Sequence, residues 1–137
     1  MRSFLDTNVL VYLFDADAPE KQSRAQRLFE SESAQGRCVL STQVLQEFYV
    51  AATRKLRRPL DPRDAEQAVH DLSRLPVVQV DPGMIRAAIS RSLTAGFSFR
   101  NSLIVEAAVA SGADRLYTED LQHGQRIGTL EVVDPFH

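Results

Sequence analysis

The alternation of short apolar runs with stretches of helical periodicity is the feature that most limits how this chain can fold. Between five runs of strand type, apolar residues recur every three or four positions along the 137 residues. The runs are Ser3–Asp6, Cys38–Ser41, Val77–Val80, Arg115–Tyr117 and Glu131–Val133. Strands that are connected through helices pair in parallel by right-handed crossovers. We therefore expect a three-layer α/β/α sandwich around a central, mainly parallel, five-stranded sheet.

Capping signals support these boundaries. Asp61 and Asp81 each precede a proline, which places a capping acid before a proline at the first helical position. Gly36 and Gly112 fall just past predicted helix ends, where a left-handed residue is favoured. A further helix is expected to begin at Ser98. The length is that of one domain, so residues 1–137 are expected to form a single unit.

The composition is that of an ordinary globular protein, with 44% hydrophobic and 25% charged residues. A formal net charge of −2 does not by itself indicate a nucleic-acid partner, although local clustering of charge can still steer one. The single cysteine, Cys38, opens an apolar run and is expected to be buried. No apolar stretch approaches the ~18 residues of a membrane span, and no secretory signal pattern is present. We expect a cytoplasmic protein that does not enter a membrane.

Acidic residues follow the carboxyl ends of several predicted strands. Asp6 ends the first strand, Glu47 lies in the helix after the second, and Asp120 follows the fourth. Because the carboxyl ends of parallel strands share one edge of a sheet, these side chains are expected to converge. Carboxylates at close range stay ionised only beside a cation. Oxygen ligands suit Mg²⁺ or Mn²⁺, and such ions promote phosphodiester hydrolysis by an activated water.

Each acid also has a purely structural interpretation. Asp6 can cap the first helix, Glu47 can be a solvated flank of an apolar helix, and Asp120 can cap the short segment after it. Thr7 and Asn8 can do no more than cap the first helix, and this is the preferred interpretation of Asn8. It is the combination of acids that favours a metal site.

Four short segments, taken in order, carry a family resemblance. They are Phe4-Leu5-Asp6-Thr7-Asn8-Val9-Leu10, Gln46-Glu47-Phe48, Asn101-Ser102-Leu103-Ile104-Val105 and Thr118-Glu119-Asp120-Leu121. In order and spacing they resemble the PIN-domain family, and most closely its VapC-type ribonuclease toxins of bacterial toxin–antitoxin pairs. The resemblance implies a magnesium-dependent endoribonuclease, usually dimeric, that a cognate antitoxin holds inactive. It also implies an acidic site at Asp6, Glu47 and Asp120, flanked by Thr118 and Glu119.

The resemblance departs at Asn101. Family members of this type usually read aromatic-Asp-Ala-Leu-Ile, whereas this chain reads Arg100-Asn101-Ser102-Leu103-Ile104. Asn101 is kept in the predicted metal site because its amide oxygen can contact a metal or its water, but it carries no charge. A unit charge pair ~4 Å apart is worth about 4 kcal/mol at an effective dielectric of 20, so cleavage is expected to be weakened. Glu119 is the candidate to compensate for the missing charge.

Three interpretations of Asn101 stay open at this point. The amide can be a natural divergence that weakens the enzyme, or a deliberate Asp→Asn change that silences a toxic nuclease. It can also be no more than a neutral residue near the start of a helix.

A basic cluster follows the helix that carries Glu47. Its four cations fall within five residues: Arg54, Lys55, Arg57 and Arg58. Such a cluster can grip RNA phosphates without sequence choice, or it can be a solvated helix end where cations suit the dipole. Arg100 is expected either to contact an RNA phosphate or to be simply exposed.

Three function classes follow from these residues. The leading hypothesis is a toxin-type metal-dependent ribonuclease whose partners are RNA, an antitoxin protein and a second copy of the chain. The second is a non-catalytic PIN domain that binds RNA or an antitoxin. The third is a phosphoacceptor signalling domain, which needs a lysine after the last strand. Lys21 and Lys55 are far from that position in the sequence, which disfavours this third class.

Overall fold

Six strands and six helices form residues 1–137, all of which are described in a computed structural model of the chain. Pairs of helices separate the first four strands, and the last three strands follow one another without a helix between them. The strands are β1 (Ser3–Leu5), β2 (Cys38–Ser41), β3 (Val77–Val78), β4 (Arg115–Tyr117), β5 (Arg126–Ile127) and β6 (Leu130–Val133). The helices are α1 (Thr7–Tyr12), α2 (Pro19–Ala34), α3 (Thr42–Arg54), α4 (Pro62–Leu72), α5 (Pro82–Ala95) and α6 (Phe99–Ala110). The predicted α/β class is confirmed.

The sheet has the strand order β3-β2-β1-β4-β6-β5, and all neighbouring pairs are parallel except β5 with β6. The mainly parallel sheet is therefore confirmed, with six strands instead of the five predicted. The additional strand is β5, which has two residues and forms a hairpin with β6. Gly128, in this turn, has a φ of 61° that a residue with a side chain rarely adopts. Two residues without an apolar run give no strand signal, which is why the sequence did not predict β5.

Strand β1 lies at the centre of the sheet, and its register determines where the acids go. Phe4 and Leu5 are fully buried, as expected for a strand covered on both faces. Leu5 pairs with Tyr117 of β4, and the backbone N–H of Asp6 donates to the Tyr117 carbonyl at 3.0 Å. The residues that follow β1 and β4, Asp6 and Thr118, therefore leave the sheet side by side.

The core is built from the sheet and the apolar faces of the helices. Fully buried side chains include Val9 and Leu10 of α1, Phe48 of α3, and Ile104 and Val105 of α6. Full burial of a side chain of this size contributes about 1.5–3 kcal/mol. None of the helices combines the length and the apolar character that a membrane span requires.

The predicted capping residues occupy cap positions. The side chains of Asp61, Asp81 and Ser98 each accept a backbone N–H bond from the first turn of α4, α5 and α6. Gly36 and Gly112 follow helix ends with φ values of 67° and 73°. Because Ser98 caps α6, residues 100 and 101 lie in its first turn, at the helix end that faces the carboxyl edge of the sheet.

Candidate active site

The predicted acids come together at the carboxyl edge of the sheet. Asp6 follows β1 and caps α1, Glu47 lies on α3, and Asp120 follows β4. All of them accept hydrogen bonds from one residue, Arg100 of α6. The carboxylates therefore surround a common point, and a guanidinium lies at that point.

Arg100 uses every nitrogen of its guanidinium in this cluster, and its Nε donates to the two oxygens of Glu47 at 3.2 and 3.3 Å. Nη2 donates to Asp6 Oδ1 and Glu47 Oε1, each at 2.7 Å, so these two oxygens are at most twice that distance apart. Nη1 donates to Asp6 Oδ2 and Asp120 Oδ2, each at 3.1 Å. It also donates to the Asn101 amide oxygen at 3.0 Å, so the neighbouring amide belongs to the same cluster. The structure therefore places Arg100 inward, among the acids.

Asp6 is the most enclosed of the acids, with a side chain that is only 1% exposed. Its Oδ1 accepts the Thr7 backbone N–H at 2.6 Å, and its Oδ2 accepts the Thr118 hydroxyl at 2.7 Å. With two further bonds from Arg100, all of its lone pairs are engaged. The cap interpretation of Asp6 is thus confirmed, and the same carboxylate also belongs to the acid cluster around Arg100.

Glu47 and Asp120 respond differently to this environment. Burial acts to raise the pKa of Glu47, but hydrogen bonds from Arg100 and Thr7 outweigh it, so the pKa lies below its ordinary value. Burial and the negative charge of Asp6 raise the pKa of Asp120 above its ordinary value. Burial acts to lower the pKa of Arg100, but hydrogen bonds to Asp6 and Glu47 hold that pKa above its ordinary value. One guanidinium leaves the negative charge of this cluster incompletely neutralised.

Thr7 and Gln43 support Glu47. The Thr7 hydroxyl donates to Glu47 at 2.7 Å and accepts from Arg100 at 3.2 Å. Gln43 Nε2 donates to Glu47 at 3.3 Å and to the Arg100 backbone carbonyl at the same distance. Gln43 is not among the predicted site residues, although its position four residues before Glu47 on α3 puts both on one helix face.

Asn8 does not cap the first helix, so that interpretation was wrong. Asp6 is the cap of α1, whereas Asn8 lies within the helix. Its amide oxygen is buried without a hydrogen-bond partner, and the residue lines the groove next to the acids.

Glu119 points to a different cation. Its two carboxylate oxygens accept from the Tyr12 hydroxyl at 3.0 Å and from Lys21 Nζ at 3.1 Å. Glu119 is therefore engaged beside the cluster and does not contact Arg100. Lys21, which is distant in the sequence from all the later strands, is brought by α2 next to Glu119 after β4. Sequence distance carried no signal for this contact.

A groove of about 720 Å³ opens beside the acid cluster. Its walls come from α1, α3, α6 and the turn after β4, and 14 residues line it: Thr7, Asn8, Val11, Tyr12, Asp15, Gln46, Glu47, Val50, Ala51, Lys55, Leu56, Arg100, Glu119 and Asp120. Within the basic cluster, only Lys55 lines this groove, and Arg58 pairs with Asp17 at 3.2 Å. Arg54 and Arg57 are exposed.

The donor set fits a hard divalent ion in its chemistry, since it consists of carboxylate, amide and hydroxyl oxygens. In this arrangement, no three His, Cys, Asp or Glu side chains are close enough to one another to hold an ion. The guanidinium stands between the carboxylates and engages the oxygens that an ion would need. A metal at Asp6, Glu47 and Asp120 is therefore compatible with the residues present once Arg100 has moved.

Comparison with known proteins gives the family. Residues 3–126 match the family model described as PIN domain, so the chain belongs to the PIN domain family. No curated protein sequence matches the chain.

Solved structures share this fold at low sequence identity. Mycobacterium tuberculosis VapC20, described as a toxin that cleaves the sarcin–ricin loop, is 21% identical, with 86% of this chain and 89% of that chain covered and a TM-score of 0.69. VapBC2 from Rickettsia felis, bound to a promoter DNA fragment, is 20% identical over 96% and 97% of the chains, with a TM-score of 0.68. DNA-bound VapBC from Salmonella typhimurium is 23% identical over 98% of both chains, with a TM-score of 0.65.

Proposed function

We propose that this chain is a toxin-type endoribonuclease that hydrolyses RNA phosphodiesters with Mg²⁺ or Mn²⁺. The observation that carries the proposal is the meeting of Asp6, Glu47 and Asp120 around a single cation. A bound ion would supply an activated water and stabilise the charge that develops on the phosphate. Membership of the PIN domain family and the likeness of the fold to VapC toxins support this reading.

The chain's own residues have separate roles in this proposal. Asp6, Glu47 and Asp120 would hold the metal, with the neutral oxygen of Asn101 as a weak fourth contact. Thr7 and Thr118 orient the carboxylates of Glu47 and Asp6 through hydrogen bonds of 2.7 Å. The groove beside the acids would receive the RNA strand, and Lys55 on its wall would contact a phosphate.

We also propose an antitoxin protein and a second copy of this chain as partners, acting in the cytoplasm. One protein of this fold was solved as a toxin–antitoxin complex from Klebsiella pneumoniae, and two others were solved as DNA-bound VapBC2 and VapBC.

A decisive test is the Asn101→Asp variant. A fourth carboxylate favours a divalent ion, so we expect magnesium-dependent cleavage of single-stranded RNA to rise about tenfold. Asp6→Asn should abolish that activity. Gln35→Glu is the matched control, because it adds a negative charge at an exposed amide before β2, away from the carboxyl edge. Equal cleavage by the Asn101→Asp variant and the parent chain would contradict the assigned role of position 101.

One observation favours a second function, a non-catalytic PIN domain that binds RNA or an antitoxin. Arg100 fills the acid cluster, and Asn101 removes one charge from it. A calorimetric titration of Mn²⁺ separates the two proposals, because the non-catalytic domain would bind no metal in the parent chain or in the Arg100 variants described below.

A further inference from the structure

Arg100 contacts more acids than any other cation of the chain. Its guanidinium forms salt bridges with Asp6, Glu47 and Asp120 at 2.7, 2.7 and 3.1 Å. Every other arginine or lysine salt bridge joins one cation to one carboxylate, as Arg91 does with Glu106 at 2.7 Å. Arg100 is thus bound by the whole cluster and not by a single surface partner.

The bonds of Arg100 leave Asp6 without a free lone pair. Each oxygen of Asp6 accepts one bond from its surroundings, from the Thr7 N–H or the Thr118 hydroxyl, and one from Arg100. A carboxylate has about four lone-pair sites in all. No other ligand can therefore bind Asp6 until the guanidinium leaves, and Asp6 is too buried to turn toward solvent.

The net charge of the cluster favours replacement of the Arg100 guanidinium by a divalent ion. Three carboxylates with one guanidinium leave a net charge of −2 in the cluster, and a divalent ion in place of Arg100 would reduce it to −1. Arg100, however, is held in the same chain, and so it competes at a high effective concentration.

We propose that Arg100 is a built-in occupant of the acid cluster and that a divalent metal binds only when its guanidinium is displaced. This inference rests on the proposed metal-dependent function. It assigns to the chain a stable resting form with a closed metal site, and it makes the release of Arg100 the step that limits metal binding.

The first test measures Mn²⁺ affinity by calorimetry in the parent chain and in Arg100→Gln. If the open form is a small fraction of the molecules, removal of the guanidinium should tighten Mn²⁺ binding by about tenfold or more. Arg91→Gln, which removes an arginine of similar exposure from one carboxylate, should leave the affinity unchanged. Equal affinities in the parent chain and Arg100→Gln would overturn the inference and leave the metal-dependent function intact. The absence of Mn²⁺ binding in every variant would overturn both.

The second test uses thermal unfolding without metal. In EDTA, Arg100→Gln should unfold at a lower temperature than the parent chain, because three carboxylates then lack a cation. Excess Mn²⁺ should stabilise Arg100→Gln more than it stabilises the parent chain. A variant that is as stable in EDTA as the parent chain would contradict the role of Arg100 as an internal cation.

A third measurement needs no variant and covers the case in which Arg100→Gln does not fold. The Nε–H resonance of Arg100 is followed by NMR while diamagnetic Mg²⁺ is added. If Mg²⁺ displaces the guanidinium, the chemical shift of this resonance should move away from its hydrogen-bonded value as Mg²⁺ saturates the site. If Mg²⁺ binds and the resonance stays unchanged, the ion and the guanidinium occupy different places and the inference is wrong.

Discussion

Asp6 joins two tasks that are usually carried by separate residues. It caps α1 through the Thr7 N–H, and it binds Arg100 with both oxygens. Its burial is tolerable because each oxygen has two donors, which offsets the large penalty for taking a carboxylate out of water. A change at Asp6 therefore affects the cap of α1 as well as the acid cluster, so the residues around it offer cleaner tests.

Thr118 is such a residue. Its hydroxyl is buried, donates to Asp6 at 2.7 Å and accepts the Asp120 backbone N–H at 3.0 Å. Thr118→Val keeps the shape but removes a bond to a charged group, so we expect urea unfolding to show a loss of about 1.5–3 kcal/mol. Thr118→Ser keeps the hydroxyl and serves as the control. Equal unfolding free energies for the two variants would show that the hydroxyl does not stabilise Asp6.

Tyr117 predicts how stability depends on alkaline pH. Burial raises the pKa of the Tyr117 hydroxyl, and a hydrogen bond of 3.0 Å that the hydroxyl donates to Glu32 raises it further. Because the folded pKa exceeds the unfolded value of about 10, this stabilisation is complete below about pH 10 and is lost as pH rises through the folded pKa.

The test compares unfolding free energies at neutral and alkaline pH. Tyr117→Phe should cost about 1 kcal/mol at neutral pH and should show a shallower decline above about pH 10 than the parent chain. Tyr49→Phe, at a tyrosine that is 39% exposed, is the control. If the unfolding free energy of the parent chain and of Tyr117→Phe falls equally above about pH 10, ionisation of Tyr117 does not cause the alkaline loss of stability.

Among the elements, α6 was predicted only in part. Ser98 as its start follows from the sequence, because a serine before the first helical turn accepts a backbone N–H. The direction of the Arg100 side chain does not follow from the sequence, because a long side chain in a first turn can reach either the sheet edge or solvent. The guanidinium of Arg100 is held by three acids that are distant in the sequence: one follows β1, one lies on α3 and one follows β4.

The end of α3 supports a prediction about RNA. Lys55 lines the groove, and Arg57 is exposed beside it. If both contact phosphates, Lys55→Gln with Arg57→Gln should lower the slope of log affinity against log salt by about 1.4 for single-stranded RNA. Arg126→Gln, on edge strand β5, should leave the slope unchanged. An unaltered slope in the double variant would show that Lys55 and Arg57 do not contact RNA phosphates and belong to a solvated helix end.

For the molecule as a whole, parallel connectivity made the position of the acids predictable. Apolar runs fixed five strands and therefore the edge at which Asp6 and Asp120 emerge. The hairpin of β5 with β6 was not predictable, because β5 has two residues and depends on its partner. The contact of Lys21 with Glu119 was also not predictable, since it depends on how α2 packs.

Cys38 provides a probe of global unfolding. Its side chain is 3% exposed, and burial raises the pKa of the thiol, so little reactive thiolate is present at neutral pH. We expect alkylation by iodoacetamide to be slow in buffer and to accelerate only across the urea unfolding transition. Gln26→Cys in a Cys38→Ala background places a thiol on an exposed helix position and should react at once. Rapid labelling of native Cys38 would show that β2 opens locally.

The central place of β1 also has a consequence for biosynthesis. This strand precedes the other five in the sequence, yet it is paired on one side by β2 and on the other by β4. The pocket around Arg100 needs Asp6 from the start of the chain and Asp120 from near its end. The acid cluster therefore cannot be complete in a growing chain until residues up to Asp120 have been synthesised.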